Sequence, residues 1–152
     1  MGSAKGRSTV ASALGSKHGA HAPVYAIEPH EAFTGILGGR FSSANRGIFF
    51  TSLLHTQTAD IVRLVNLSSE IVTPGWQLAV GMIFIDGDHS YSGVKRDYDC
   101  WIPSIIPGGI LIFHDSTNPA IGPYRVINEA IAEGALEKVA VVSRATILRK
   151  VA

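Results

Sequence analysis

The stretch Met82-Ile83-Phe84-Ile85-Asp86-Gly87-Asp88-His89-Ser90-Tyr91 decides how this chain is read, because an apolar strand gives way at one point to a cluster of ionisable groups. The pattern recurs a turn and a helix later, where Gly109-Ile110-Leu111-Ile112-Phe113 runs straight into His114-Asp115. Two buried parallel strands that each release a carboxylate and an imidazole at the same edge of a sheet describe an active-site rim in an α/β protein.

Working outward, the remaining pattern alternates strands and helices. Val10, Ala13 and Leu14 predict a short helix that ends near Gly15 or His18-Gly19, and Pro23 to Ile27 reads as a strand closed by Glu28-Pro29-His30. Residues 31–46 hold Gly35, Gly38 and Gly39 and offer only weak helical order. A helix follows over 46–57 on the apolar stripe Ile48, Phe49, Leu53 and Leu54, then a strand over 61–65, a loop over 66–70 and a brief helix or turns at Pro74-Gly75-Trp76. Val80 to Ile85 forms the strand that leads to Asp86. Val94, Tyr98, Trp101, Ile102 and Ile105 fall at three- and four-residue spacings, which predicts a helix over 91–106 stopped by Pro107-Gly108-Gly109. A further helix over 124–132 precedes two strands, 136–142 and 145–151, whose short Ser143-Arg144 connection indicates an antiparallel hairpin at a sheet edge. The sum is α/β: a Rossmann-like, doubly wound, mostly parallel sheet with a C-terminal antiparallel hairpin.

Composition narrows the function classes. A chain of 152 residues builds one domain with a real core, and 46% hydrophobic against 16% charged residues suits a sheet covered on both faces. Thirteen Lys and Arg offset 12 Asp and Glu for a net charge of +1, with no long basic block, so nucleic acid is not an expected partner. A near-neutral surface favours self-association, and a homodimer is expected. The single Cys100 excludes an intrachain disulfide and a multi-thiolate zinc site. No segment reaches the length of apolar sequence that a membrane span needs, so the expectation is a cytoplasmic protein without a membrane partner.

The ionisable groups point to specific chemistry. Asp86 and Asp115, on successive crossover strands, are placed to converge on a cation, and carboxylate oxygens with waters suit Mg²⁺. Each aspartate has an alternative as the cap of the helix that follows it. His89 lies three residues past Asp86, and a neutral imidazole there can take a proton from a hydroxyl at neutral pH. Asp88 serves as a supporting partner or a cap, and Tyr91 closes the pocket or anchors the helix. Glu28, at a strand end, is placed to accept ribose hydroxyls, and Gly2 and Gly6 allow close backbone approach to a ligand. A phosphate-loop reading of Lys5-Gly6-Arg7-Ser8-Thr9 lacks the adjacent Lys-Ser/Thr pair that motif requires.

Taken together, Gly2-Ser3-Ala4-Lys5-Gly6-Arg7-Ser8-Thr9, Val24-Tyr25-Ala26-Ile27-Glu28-Pro29, Ile85-Asp86-Gly87-Asp88-His89-Ser90-Tyr91 with Ser92 to Asp97, and Pro107-Gly108-Gly109 with Phe113-His114-Asp115 resemble the class I S-adenosylmethionine-dependent methyltransferases. More narrowly, they resemble the small-molecule O-methyltransferase-like group known as methyltransferase family 24. The resemblance spans nearly the whole chain. It implies that Gly2, Ser3 and Gly6 hold the methionine portion of S-adenosylmethionine, that Glu28 binds the ribose, that Leu67 and Ser68 frame the adenine, and that Asp86 borders the cofactor. It also implies Mg²⁺ at Asp86 and Asp115, although Ser116 stands where metal-dependent relatives have asparagine, and it puts His89 in the slot of their lysine base. The implied acceptor is a hydroxyl of a small molecule. Family members carry a whole strand before the glycine loop, whereas Met1 directly precedes Gly2 here, so the resemblance implies a single domain, 1–152, N-terminally truncated and lacking the first, central strand. Two other readings stand beside it: a truncated nucleoside-binding or dimerising domain without turnover, and a nicotinamide-dependent oxidoreductase, for which no compact Gly-x-Gly-x-x-Gly is present.

Overall fold

A computed structural model describes all residues, Met1–Ala152. The chain sorts into two compact units, residues 2–68 and residues 69–152 together with Met1.

The first unit opens with helix α1 (Arg7–His18) and strand β1 (Val24–Ile27). Helix α2 (Ala44–His55) carries the chain to strand β4 (Val62–Val65), which pairs with β1 in parallel, Val24 opposite Val62 and Ile27 opposite Val65. Ala13, Ala26, Phe49, Leu53, Ile61 and Val62 form its core, one apolar face each from two helices and two strands. Residues 31–43 depart from the weak helical order expected over 31–46. Strands β2 (Phe33–Thr34) and β3 (Arg40–Phe41) make a small antiparallel hairpin, closed by Gly38 at φ 81° and stacked Phe33 and Phe41 rings. Glycine supplies the left-handed turn that a helix would have to reject.

The second unit begins with one turn of helix, α3 (Ser69–Val72), over part of the stretch expected to be loop, and a 3₁₀ turn over Thr73–Gly75. Ser69 is buried there because its hydroxyl accepts the indole N–H of Trp101 at 3.0 Å. A four-stranded sheet follows in the order β5-β6-β8-β7, with β5 (Val80–Ile85) parallel to β6 (Ile105–Phe113), and with β7 (Leu136–Val142) and β8 (Ala145–Lys150) completing it antiparallel. The C-terminal hairpin lies where the sequence pattern puts it. On the outer edge of β5, Met1 makes one parallel bridge: its amino group donates to Phe84 O at 2.6 Å and its carbonyl accepts from Asp86 N at 3.1 Å. Strands β1 and β4 form a separate two-stranded sheet.

Helix α4 (Tyr91–Trp101) stops five residues short of the expected end. Pro103 has no N–H to give back to the preceding turn, so the chain tightens into a 3₁₀ turn over Ile102–Ser104 and is already extended at Ile105. Pro107-Gly108-Gly109 is therefore a bulge inside β6 rather than a helix stop. Val80 pairs with Ile105 but Met82 with Ile110, so β6 takes five steps where β5 takes two. Gly108 lies at φ 75°, and a Cβ on Gly109 would stand 2.6 Å from Ile105 Cγ2 and 2.8 Å from Ile106 O. Beyond the bulge the register is regular, ending with Ile85 opposite Phe113. Helix α5 (Gly122–Ala132) packs on α4, and Val94, Tyr98, Trp101, Leu111, Phe113, Val126, Ile127 and Leu148 are buried in this unit's core.

Candidate active site

Because Ile85 and Phe113 are paired neighbours, the residues that follow them, Asp86 and His114, emerge side by side at the C-terminal ends of two parallel strands. The His114 N–H donates to Ile85 O at 3.0 Å and carries the ladder one step past the strands. Asp86, His89, His114 and Asp115 converge: one ligand atom from each lies within 4.8 Å of the other three. His114 Nδ1 stands 2.9 Å from Asp86 Oδ1 and 3.3 Å from Asp115 Oδ2, while His89 Nε2 stands 3.6 and 3.4 Å from the same two oxygens. Yet both imidazole nitrogens are buried and without a hydrogen-bond partner. The distances read as ion pairs, but none of these contacts meets hydrogen-bond geometry. Burial raises the Asp86 carboxyl above its ordinary value, against the pull of His114 and His89.

The capping alternatives fall away for Asp86. Helix α4 is capped by Ser90, whose hydroxyl accepts Gly93 N at 3.1 Å, and Asp88 supports that cap by accepting the Ser90 N–H at 2.9 Å and hydroxyl at 2.7 Å. A Cβ on Gly93 would stand 2.4 Å from Asp88 Oδ2, so glycine is what lets this cap close. Tyr91 is an anchor: its hydroxyl donates to Glu129 at 2.9 Å and its ring lies 4.0 Å beneath the Arg125 guanidinium. Asp115 adopts φ 47°, an uncommon conformation for a residue with a side chain, and Arg144 Nη1 holds its Oδ1 at 3.0 Å, leaving Oδ2 toward the cluster.

In the first unit, Gly2 and Gly6 lie at φ 74° and 91°, and the Gly6 N–H donates to Ser3 O at 2.6 Å, closing the loop ahead of α1. Glu28 accepts the Ala4 N–H at 2.9 Å on one oxygen and the His30 N–H at 3.0 Å on the other. A carboxylate has about four acceptor sites, so two remain for ligand hydroxyls. Leu67 is exposed and Ser68 half-buried just past β4.

Residues 1–116 match a family model described as a methyltransferase domain. The chain belongs to this methyltransferase family. Among solved structures, the methyltransferase is similar to the O-methyltransferase of Bacillus cereus in complex with SAH, with a TM-score of 0.72 and 20% identity over 99% of this chain and 71% of that one. It is also similar to TomG of Streptomyces achromogenes, an O-methyltransferase of tomaymycin synthesis in complex with SAM, with a TM-score of 0.69 and 12% identity over 99% and 71%. In sequence, 38 residues are 40% identical to protein y4gI of Sinorhizobium fredii, a segment that makes up 25% of this chain and 4% of that protein. The fold is that of the class I S-adenosylmethionine-dependent methyltransferases. No helix of the methyltransferase is long and apolar enough to cross a membrane.

Three features of the methyltransferase were not assigned from the sequence. His114 was legible only as a residue superfluous to a cap, since its role depends on strand register. Arg144 reaches Asp115 from the β7–β8 turn, 29 positions away. His30, 3% exposed, fastens the glycine loop by bonding Ala4 O at 2.9 Å through Nε2, with Asn66 at 3.3 Å on its other nitrogen. Ser116, in the slot of the expected asparagine, turns away from the cluster and donates to Thr146 Oγ1 at 2.7 Å. A concavity of about 840 Å³ in the second unit, lined by Trp76, Leu78, Pro103 and Ile106, lies away from these groups.

Proposed function

We propose that this methyltransferase transfers the methyl group of S-adenosylmethionine to a hydroxyl of a small molecule, at the cluster of Asp86, His89, His114 and Asp115. The observation that carries the reading is the convergence of these four groups at the C-terminal ends of β5 and β6 within a methyltransferase-family chain. Ligand sites of open α/β sheets lie at that end of the strands. O-methylation needs an in-line approach of oxygen to a methyl carbon whose sulfonium leaving group is already activated, and a place for the hydroxyl proton.

His89 supplies that place when no cation occupies the cluster. Its Nε2 is buried without a hydrogen-bond partner, and Asp86 and Asp115 lie 3.6 and 3.4 Å away, where they would stabilise the imidazolium formed. Within the first unit, the loop of Gly2, Ser3 and Gly6 offers close backbone approach for S-adenosylmethionine, Glu28 keeps acceptor sites for ribose hydroxyls, and Leu67 and Ser68 are the candidates for the adenine. Asp86 and Asp115 would hold a divalent cation, whose chemistry is to lower the pKa of a bound hydroxyl.

The test is calorimetric titration with S-adenosylmethionine followed by a hydroxyl-substrate panel, scoring release of S-adenosylhomocysteine. Saturable binding with release on at least one acceptor is expected, and Glu28→Gln should weaken cofactor binding. No binding at millimolar cofactor overturns the proposal. Binding without turnover across the panel favours a nucleoside-binding domain.

A further inference from the structure

The donor set of the cluster is not the all-oxygen set that Mg²⁺ prefers. It contains two carboxylates and two imidazoles, with all four donor atoms within 4.8 Å of one another. Mg²⁺ takes oxygen ligands in a strict octahedron and keeps several waters, whereas imidazole suits the later first-row dications. The expected Mg²⁺ site rested on Asp86 and Asp115, with Ser116 in the slot where metal-dependent relatives have asparagine. Ser116 is instead bound to Thr146 and Arg144 O, so the remaining donors are nitrogens.

We infer that Asp86, His89, His114 and Asp115 form a four-donor site for a first-row transition-metal dication of the Co²⁺–Zn²⁺ type, selected over Mg²⁺ by its two imidazoles. His89 Nε2 and His114 Nδ1 are buried without a hydrogen-bond partner, although carboxylate oxygens stand 2.9–3.6 Å away. Buried imidazole nitrogens are seldom left so, and an ion held by them together with the two carboxylates accounts for both. Two carboxylates balance the charge of a dication.

The surroundings hold the donors in place. Arg144 Nη1 takes Asp115 Oδ1 at 3.0 Å, so Oδ2 is the oxygen left for the centre, and it is the one beside both imidazoles. The Phe84 ring packs against His114, with ring centroids 6.1 Å apart. Asp86 and His114 extend from two paired strands, a firmer mounting than a loop.

This metal class rests on the site proposed above, yet binding is read without turnover, so either idea can fail alone. An ion here would engage the His89 Nε2 lone pair, making His89 a ligand in the loaded protein. His89→Ala then loses turnover under both readings, and metal binding separates them. The experiment treats the full chain with chelator, then titrates it with Co²⁺, Zn²⁺ and Mg²⁺ by calorimetry, with the Co²⁺ visible spectrum recorded. Expected is one Co²⁺ or Zn²⁺ per chain, not displaced by excess Mg²⁺, with Co²⁺ bands that report nitrogen donors. His114→Ala and the more conservative His114→Gln should each weaken binding by about tenfold or more. His55→Ala, at an exposed histidine outside the cluster, should leave it unchanged. Mg²⁺ binding as tightly as Co²⁺, or Co²⁺ binding unaffected in both folded His114 variants, overturns the inference. Metal binding without methyl transfer would sink only the functional proposal.

Discussion

Gly122→Ala tests how closely the frame behind the cluster is packed. Gly122 opens helix α5, and its N–H donates to His89 O at 2.8 Å. A Cβ there would stand 2.4 Å from Ser90 O, 2.5 Å from Ser90 C and 2.6 Å from Tyr91 N. All three atoms are backbone at the start of α4, so no side chain can swing aside; the helix start must move. Overpacking of this kind costs about 1–3 kcal/mol, and loss of the His89 hydrogen bond adds roughly 0.5–1.5 kcal/mol. A total of about 1.5–4.5 kcal/mol corresponds to a drop in Tm of about 3–18 °C for a chain of this size. The assay is thermal unfolding by circular dichroism beside Gly47→Ala. Gly47 lies within α2, and a Cβ added to it would meet nothing within 4 Å, so alanine there should stabilise by about 0.5–1 kcal/mol. Opposite signs for the two variants are expected. A Gly122→Ala midpoint within about 2 °C of the parent would refute the claim that α5 is seated on the backbone beside His89.

Burial raises the Asp97 carboxyl above its ordinary value, only partly offset by the Ser69 hydroxyl, so the folded state favours the protonated form. Its stabilising contribution is therefore full below the unfolded value of 3.8 and declines as pH rises through the folded value. Asp97→Asn should raise Tm at neutral pH and lose its advantage in acid; a pH-independent difference would contradict this. Tyr91→Phe removes the hydroxyl bonded to Glu129 but keeps the ring beneath Arg125, and urea unfolding should show a small loss of stability, smaller than that of Tyr91→Ala, which also removes the ring. Ser116→Ala leaves the buried Thr146 hydroxyl without its donor and should cost about 1–3 kcal/mol in the same assay, with no loss of cofactor affinity in calorimetry.

Much of the architecture was legible because local chemistry and burial agree. Val80 to Ile85 is apolar and then abruptly acidic, and strand β5 ends on that boundary. The Ser143-Arg144 turn between two apolar runs gives the β7–β8 hairpin. Misreadings arose where periodicity continued past a backbone obstacle. Ile102 and Ile105 extend the helical stripe of α4, but Pro103 cannot supply the hydrogen bond, and Ile105 joins β6 instead. In residues 31–46 the glycines pointed to weak order, whereas Gly38 closes a defined hairpin.

At the site, residue types and their places at strand ends come from the chain itself: Asp86 and Asp115 as paired acids, His89 three residues on, Glu28 after β1. What tertiary structure decided is which atoms meet. The bulge at Pro107-Gly108 shifts β6 against β5 until Ile85 faces Phe113, and that register sets His114 beside Asp86. Strand register depends on pairing between segments and on a five-for-two bulge that no local pattern encodes. The same register, with Arg144 reaching back from a distant turn, converts a pair of acids into a mixed nitrogen and oxygen cluster.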